Sequence, residues 1–108
     1  MSAALIWTTF ADEPSAAEVA AAMLDERLVA CANLHPGLRS LFLWQGERGE
    51  AHECGVLFKT QSALLDRACA RLAELHPYDT PSISGWQADA TSLATARWLH
   101  ELTADPER

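Results

Sequence analysis

Residues 41–44 read Leu-Phe-Leu-Trp, four large apolar side chains in succession. In an extended strand neighbouring side chains point to opposite faces, so Phe42 and Trp44 share one face and Leu41 and Leu43 the other. A strand that is apolar on both faces is buried on both faces. The chain has 108 residues, enough for a single domain spanning 1–108. A sheet in so small a domain has one face covered by helices and the other left open. With Trp7 and Trp86 also falling on strands, the open face is expected to pack against another copy of the chain.

The remaining pattern sets the order of elements. Residues 4–10, ALIWTTF, are rich in β-branched and aromatic types and read as a buried strand. A helix follows, with Ser15 and Glu18 at capping-box spacing and an apolar face of Val19, Ala20, Met23 and Leu24. The stretch VACANLHPGLRSLFLWQGE is extended, with a kink or bulge expected at Pro36-Gly37. QGERGEAHE reads as a polar connection and CGVLFKT as the returning strand of a hairpin. Leu65, Ala68, Cys69, Leu72 and Leu75 recur at helical spacing, and this second helix must stop near His76, because the residue before a proline is driven out of helical geometry. PSISGWQ reads as a short strand with Pro81 at its first position. A last helix starts between residues 89 and 91 and carries Leu93, Ala96, Trp98, Leu99 and Leu102. The order β-α-β-β-α-β plus a C-terminal helix is the ferredoxin-like arrangement, an α+β sandwich with an antiparallel sheet.

Charge and cysteine usage limit the function. Fifteen acidic against eight basic residues give a formal charge of −7, so nucleic acid is not an expected partner, since phosphate binding needs a basic face. No apolar run approaches the ~18 residues that span a bilayer, and the N-terminus lacks the layout of a signal peptide; a cytoplasmic protein without a membrane partner is expected. Cys31, Cys54 and Cys69 are odd in number and widely spaced, which fits buried free thiols better than disulfides or a CxxC metal motif.

Few residues could carry chemistry. Cys31 and His35 would lie about 13 Å apart along a strand, too far to share an ion. His52 and Cys54 are about 6.6 Å apart on one strand face, but Cys54 shares parity with Val56 and Phe58 and reads as core. His100-Glu101 is no zincin motif, Gly46 and Gly49 are followed by no Lys-Ser/Thr, and hydrolase signatures are absent. That leaves AELHPYDTPS, residues 73–82. Its two prolines fix a turn holding His76, Tyr78 and Asp79, with His76 at a helix C-terminus that favours a cation. The local sequence also fits a rigid helix-to-strand corner in which His76 serves as a cap.

Taken together, Cys31-x-Asn33, Trp44-x-Gly46, Lys59-Thr60 and His76-Pro77-Tyr78, in this order and spacing across residues 5–102, resemble the CutA family of divalent-cation tolerance proteins. The resemblance implies a ferredoxin-like subunit in a homotrimer, related in architecture to the PII signalling proteins. It implies a link to copper and other divalent cations, no required cofactor and no catalytic activity. The family's proposed copper ligands are a first-strand cysteine and two adjacent histidines before Pro-Tyr. Here the first-strand position is Trp7 or Thr8, and Leu75 precedes His76, which leaves His76 as the single metal-ligand position retained. Ser82 and Thr95 stand where the family often has an acidic residue and a tyrosine. Two readings follow. One is a metal-binding trimer whose intersubunit cleft holds Lys59, His76, Tyr78 and Asp79. The other is a PII-like module that binds a small anionic ligand or a protein partner there, with Lys59 as the charge.

Overall fold

A computed structural model describes residues 2–108. Strand β1 (Ala3–Phe10) is followed by α1 (Glu13–Asp25), β2 (Cys31–Trp44), β3 (Glu47–Gln61), a 3-10 turn (Ser62–Leu64), α2 (Leu65–Leu75), β4 (Ile83–Gln87) and α3 (Leu93–Leu102). The sheet order is β2-β3-β1-β4 with every neighbouring pair antiparallel. This is the α+β sandwich with a C-terminal helix that the sequence predicts.

Alternation along β1 decides its two faces. Ala4, Ile6, Thr8 and Phe10 are buried, while Leu5, Trp7 and Thr9 are only half-buried. Ile6 and Phe10 pack with Val56 and Phe58 of β3, Val19, Ala20 and Met23 of α1, and Ala68 and Leu72 of α2. Each such fully buried Leu, Ile, Met or Phe contributes about 1.5–3 kcal/mol. The opposite face carries Leu5, Trp7, Leu57 and Trp86, and α3 covers only one end of it. There Gln61 is buried and its Nε2 donates to the Thr103 hydroxyl at 2.8 Å.

Several element boundaries differ from the sequence expectation, each for a local reason. The cap of α1 is Asp12, whose carboxylate accepts the Ser15 N–H at 2.8 Å; Pro14 sits in the first turn, where its missing N–H leaves no bond unmade. Leu24 is 40% exposed and lies outside the core face. Ser92 caps α3 through the Thr95 N–H, so that helix begins at Leu93. Pro81 precedes β4 without joining it.

The largest difference is the hairpin. Residues 47–53 are strand, not connection, and the turn is only Gln45-Gly46. Both turn residues have positive φ, 50° and 81°, the geometry whose twist matches that of the strands it joins. Arg39↔His52, Leu41↔Glu50 and Leu43↔Arg48 are paired in register beyond the irregularity between His35 and Leu38, where the Pro36-Gly37 bulge was expected. Because β1 stops at Phe10, opposite Cys54, the hairpin projects past the sheet. Leu41, Phe42, Leu43 and Trp44 are therefore exposed in the single chain, at 61, 43, 78 and 54%.

Gly55 marks the closest approach on the open face. A Cβ there would meet the Trp7 indole at 2.3 Å and Leu38 Cδ1 at 2.7 Å. Gly55→Ala should lift the indole and destabilise the fold by about 1–3 kcal/mol, the usual range for overpacking. Chemical denaturation checks the loss; unchanged stability would mean that Trp7 is free to move aside.

Candidate functional site

The corner after α2 is held by three hydrogen bonds. His76 is 6% exposed and stacks on Phe10, with ring centroids 4.3 Å apart. Its Nε2–H donates to the Thr9 carbonyl at 2.9 Å, and its Nδ1 accepts the Tyr78 N–H at 3.2 Å. Those two bonds fix a neutral ring protonated at Nε2. The Tyr78 hydroxyl donates to Glu53 Oε2 at 2.7 Å, tying the corner to the projecting part of β3. The helix-cap reading of His76 is realised by its backbone, whose N–H reaches the Leu72 carbonyl at 2.9 Å.

Between the corner and the hairpin lies a cavity of about 550 Å³. Glu53 and Asp79 bring negative charge to it, Phe42, Trp44 and Tyr78 supply aromatic surface, and no Lys, Arg or His is among the described residues that line it. Burial pushes the Glu53 carboxyl up, but hydrogen bonds from Tyr78, Ser40 and Thr9 and the nearby His76 outweigh it and leave Glu53 below the ordinary carboxylate range. Burial also raises the Tyr78 phenol, and the adjacent Glu53 carboxylate raises it further. Burial lowers His76, against the opposing influence of the Thr9 carbonyl and Glu53. Glu53 is thus ionised and Tyr78 and His76 neutral near pH 7.

The expected site residues separate in the single chain. Tyr78 and Asp79 line the acidic cavity, and His76 stands behind them. Lys59 pairs with Leu5, whereas the cavity begins at Thr9, four residues along β1 and about 13 Å away. Lys59 lines a different cavity, of about 400 Å³, with Trp98 and Thr95. Glu53 was missed, because its segment read as a loop. The available signal was Gln45-Gly46, a two-residue turn after the strand residues 41–44 that implies a returning strand directly after it.

The donor set of one chain does not fit a resident divalent ion. Among the described residues no group of three or more His, Cys, Asp or Glu is placed to hold one. Both nitrogens of His76 are engaged, and Glu53 already accepts from Tyr78. Among the described residues no helix is long and apolar enough to cross a membrane.

Residues 4–102 match the family described as CutA1 divalent ion tolerance protein. A divalent-cation tolerance protein CutA of Pyrococcus horikoshii is 39% identical over 99 residues, covering 92% of this chain and 96% of the relative. The counterpart in Thermus thermophilus is 35% identical, over 92% of this chain and 96% of its own. Among solved structures, CutA1 from Ehrlichia chaffeensis superposes with a TM-score of 0.90 at 28% identity, covering 95% of this chain and 96% of that one.

Because burial depresses His76 in the folded state, the unfolded chain takes up the proton first as pH falls. Stability from the neutral ring is complete above the unfolded value near 6.5 and is lost progressively from there down to the depressed folded value. Unfolding free energy measured from pH 7.5 to 5 should fall for the wild type and fall less for His76→Gln. Equal slopes would remove His76 from the acid response.

Proposed function

Because this chain belongs to the CutA1 divalent ion tolerance family, we propose that it serves tolerance of divalent cations as a non-enzymatic homotrimer in the cytoplasm, and that cations meet it at the Glu53–Asp79 cleft. The observation that carries the cleft assignment is the sign of its charge: two carboxylates, Glu53 and Asp79, and no cationic side chain among the described residues that line it. An anionic ligand would face two carboxylates there without Lys59 to offset them. Copper or another divalent ion needs donors beyond those of one chain, so binding draws on more than one subunit and is weak. Asp79 is the exposed carboxylate. His76 would join an ion only by releasing the Tyr78 N–H.

The trimer reading rests on surface that a monomer would leave wet. Leu41, Phe42, Leu43 and Trp44 are all exposed and successive on the hairpin, and apolar patches of this kind mark association surfaces; Trp86, on the far edge strand β4, is exposed as well. The sheet ends in two different free edges, β2 and β4. Pairing of unlike edges between copies is heterologous, the kind of contact that a three-fold rotation closes into a ring. The three cysteines are free thiols, in keeping with a reducing compartment. Next to the cleft, His76 has no ring lone pair left to act as a base, which supports a binding role over a catalytic one.

Light scattering should give about three times the 11.8 kDa chain mass. Leu43→Asp should reduce it to one, because Leu43 is 78% exposed in the single chain and an unpaired charge is tolerated only where water reaches it. A monomeric wild type would end the trimer reading. Copper(II) calorimetry on the metal-free protein should show weak binding that Asp79→Asn reduces about threefold or more and His76→Ala reduces less. Equal affinity in wild type and Asp79→Asn would remove the cleft as the point of contact.

A further inference from the structure

The hairpin that carries the association surface leaves the domain at a double break. β3 keeps its pairing with β1 only as far as Cys54, and its pairing with β2 is interrupted between His35 and Leu38. Gly37 in that interruption has a φ of 78°, and a bulge bends the strand that contains it. Both breaks fall beside one residue, Glu53, which pairs with Leu38 just past the bulge. Beyond them the ribbon is paired without interruption, and the Phe42 ring lies over Gly49, where an added Cβ would come within 2.5 Å of it. Motion is therefore concentrated at the base of the hairpin.

One carboxylate spans that base. Glu53 Oε2 accepts the Tyr78 hydroxyl at 2.7 Å, and the Ser40 and Thr9 hydroxyls also bond to the carboxylate. Tyr78 belongs to the corner after α2, Thr9 to the end of β1 and Ser40 to β2 beyond the bulge. Hydrogen bonds to an ionised acceptor are stronger than those between neutral groups. Leu43 pairs with Arg48, five residues from Glu53, or about 17 Å along the strand. Over that length a swing of about 10° at the base carries the tip about 3 Å, more than a close-packed contact between copies tolerates.

We propose that Glu53 locks the pivot of the hairpin: by joining Tyr78, Thr9 and Ser40 it fixes the angle at which residues 41–44 are presented to a second copy, and so sets how tightly the copies associate. These four residues lie outside the buried cluster around Ile6 and Phe10, so the bonds serve the placement of the hairpin and not the packing of the core. Tyr78 is the positioning residue, since its hydroxyl ties the projecting strands to the corner. The inference rests on association of copies through the hairpin but not on any cation binding.

The test uses the full chain in its native assembly, with Tyr78→Phe, which removes only the donor, and Glu53→Gln, which keeps an acceptor but not the charge. Subunit exchange between isotope-labelled and unlabelled protein, followed by native mass spectrometry, reports how readily copies separate. Tyr78→Phe should speed exchange by about tenfold or more, and Glu53→Gln by less, because the bond is repeated in every copy of the assembly. Amide hydrogen exchange locates the change: residues 39–44 and 47–52 should lose about tenfold in protection while residues 55–60 keep wild-type values. Val56→Ala, which hollows the core, should instead lower protection at residues 55–60. Wild-type subunit exchange in Tyr78→Phe, or a loss of protection shared equally by hairpin and core, would overturn the proposal. A monomeric wild type would overturn the association reading beneath it, an outcome read from the wild-type mass alone and so distinct from a failure of the pivot.

Discussion

Backbone pairing along β3 is the constraint on which the rest of the geometry depends. Residues 54–61 are bonded to β1 on one side, while pairing with β2 runs from Glu47 to Lys59 on the other. Residues 47–53 are bonded to β2 alone. The paired half carries Val56 and Phe58 into the core and is covered by α1 and α2. The unpaired half leaves the domain as a two-stranded ribbon. Such a ribbon is marginal by itself in water, so something must brace it. In the single chain that brace is the Tyr78 hydroxyl on Glu53, at the base of the projection.

From this one offset the cleft follows. β1 ends at Phe10 and β4 pairs with it only as far as Ile83↔Thr8, so the chain between α2 and β4 has to cross the space that those strands vacate. The corner prolines and the His76 bonds set its path. Tyr78 and Asp79 then face the ribbon with a gap between them. The gap is acidic because the ribbon contributes Glu53 and the corner contributes Asp79, residues 26 positions apart in sequence that no local pattern would join.

That separation explains what the sequence could and could not disclose. Periodicity located β1, α2 and the core faces, because Ile6, Phe10, Val56, Phe58, Ala68 and Leu72 repeat at the spacing of their elements. Polar composition misled at residues 45–53. Glycine and charge there read as loop, yet the β3 strand of a ribbon that leaves the sheet packs under neither helix and can be as polar as a loop. The cap of α1 was misplaced by three residues, because Asp12 and Ser15 are both good caps and Pro14 between them fits only the first turn. At the site, His76, Tyr78 and Asp79 were legible as a fixed turn, but their partners were not. Thr9 and Glu53 come from two other strands, and only the register Thr9↔Gly55 brings them near.

The character of the cleft depends in turn on His76 being buried. An imidazolium at this position would place a positive charge beside Glu53 and cancel half of the carboxylate charge that lines the cavity. Burial against Phe10 disfavours that form. The Tyr78 N–H disfavours it too, since a protonated Nδ1 could not accept the bond. The neutral ring therefore does two things at once. It fastens the corner through the backbone, and it leaves the negative charge of Glu53 uncompensated for whatever enters from solvent. A histidine in a His-Pro-Tyr turn of a cation-tolerance family invites assignment as a ligand; in this chain its packing makes it the group that keeps the carboxylates available.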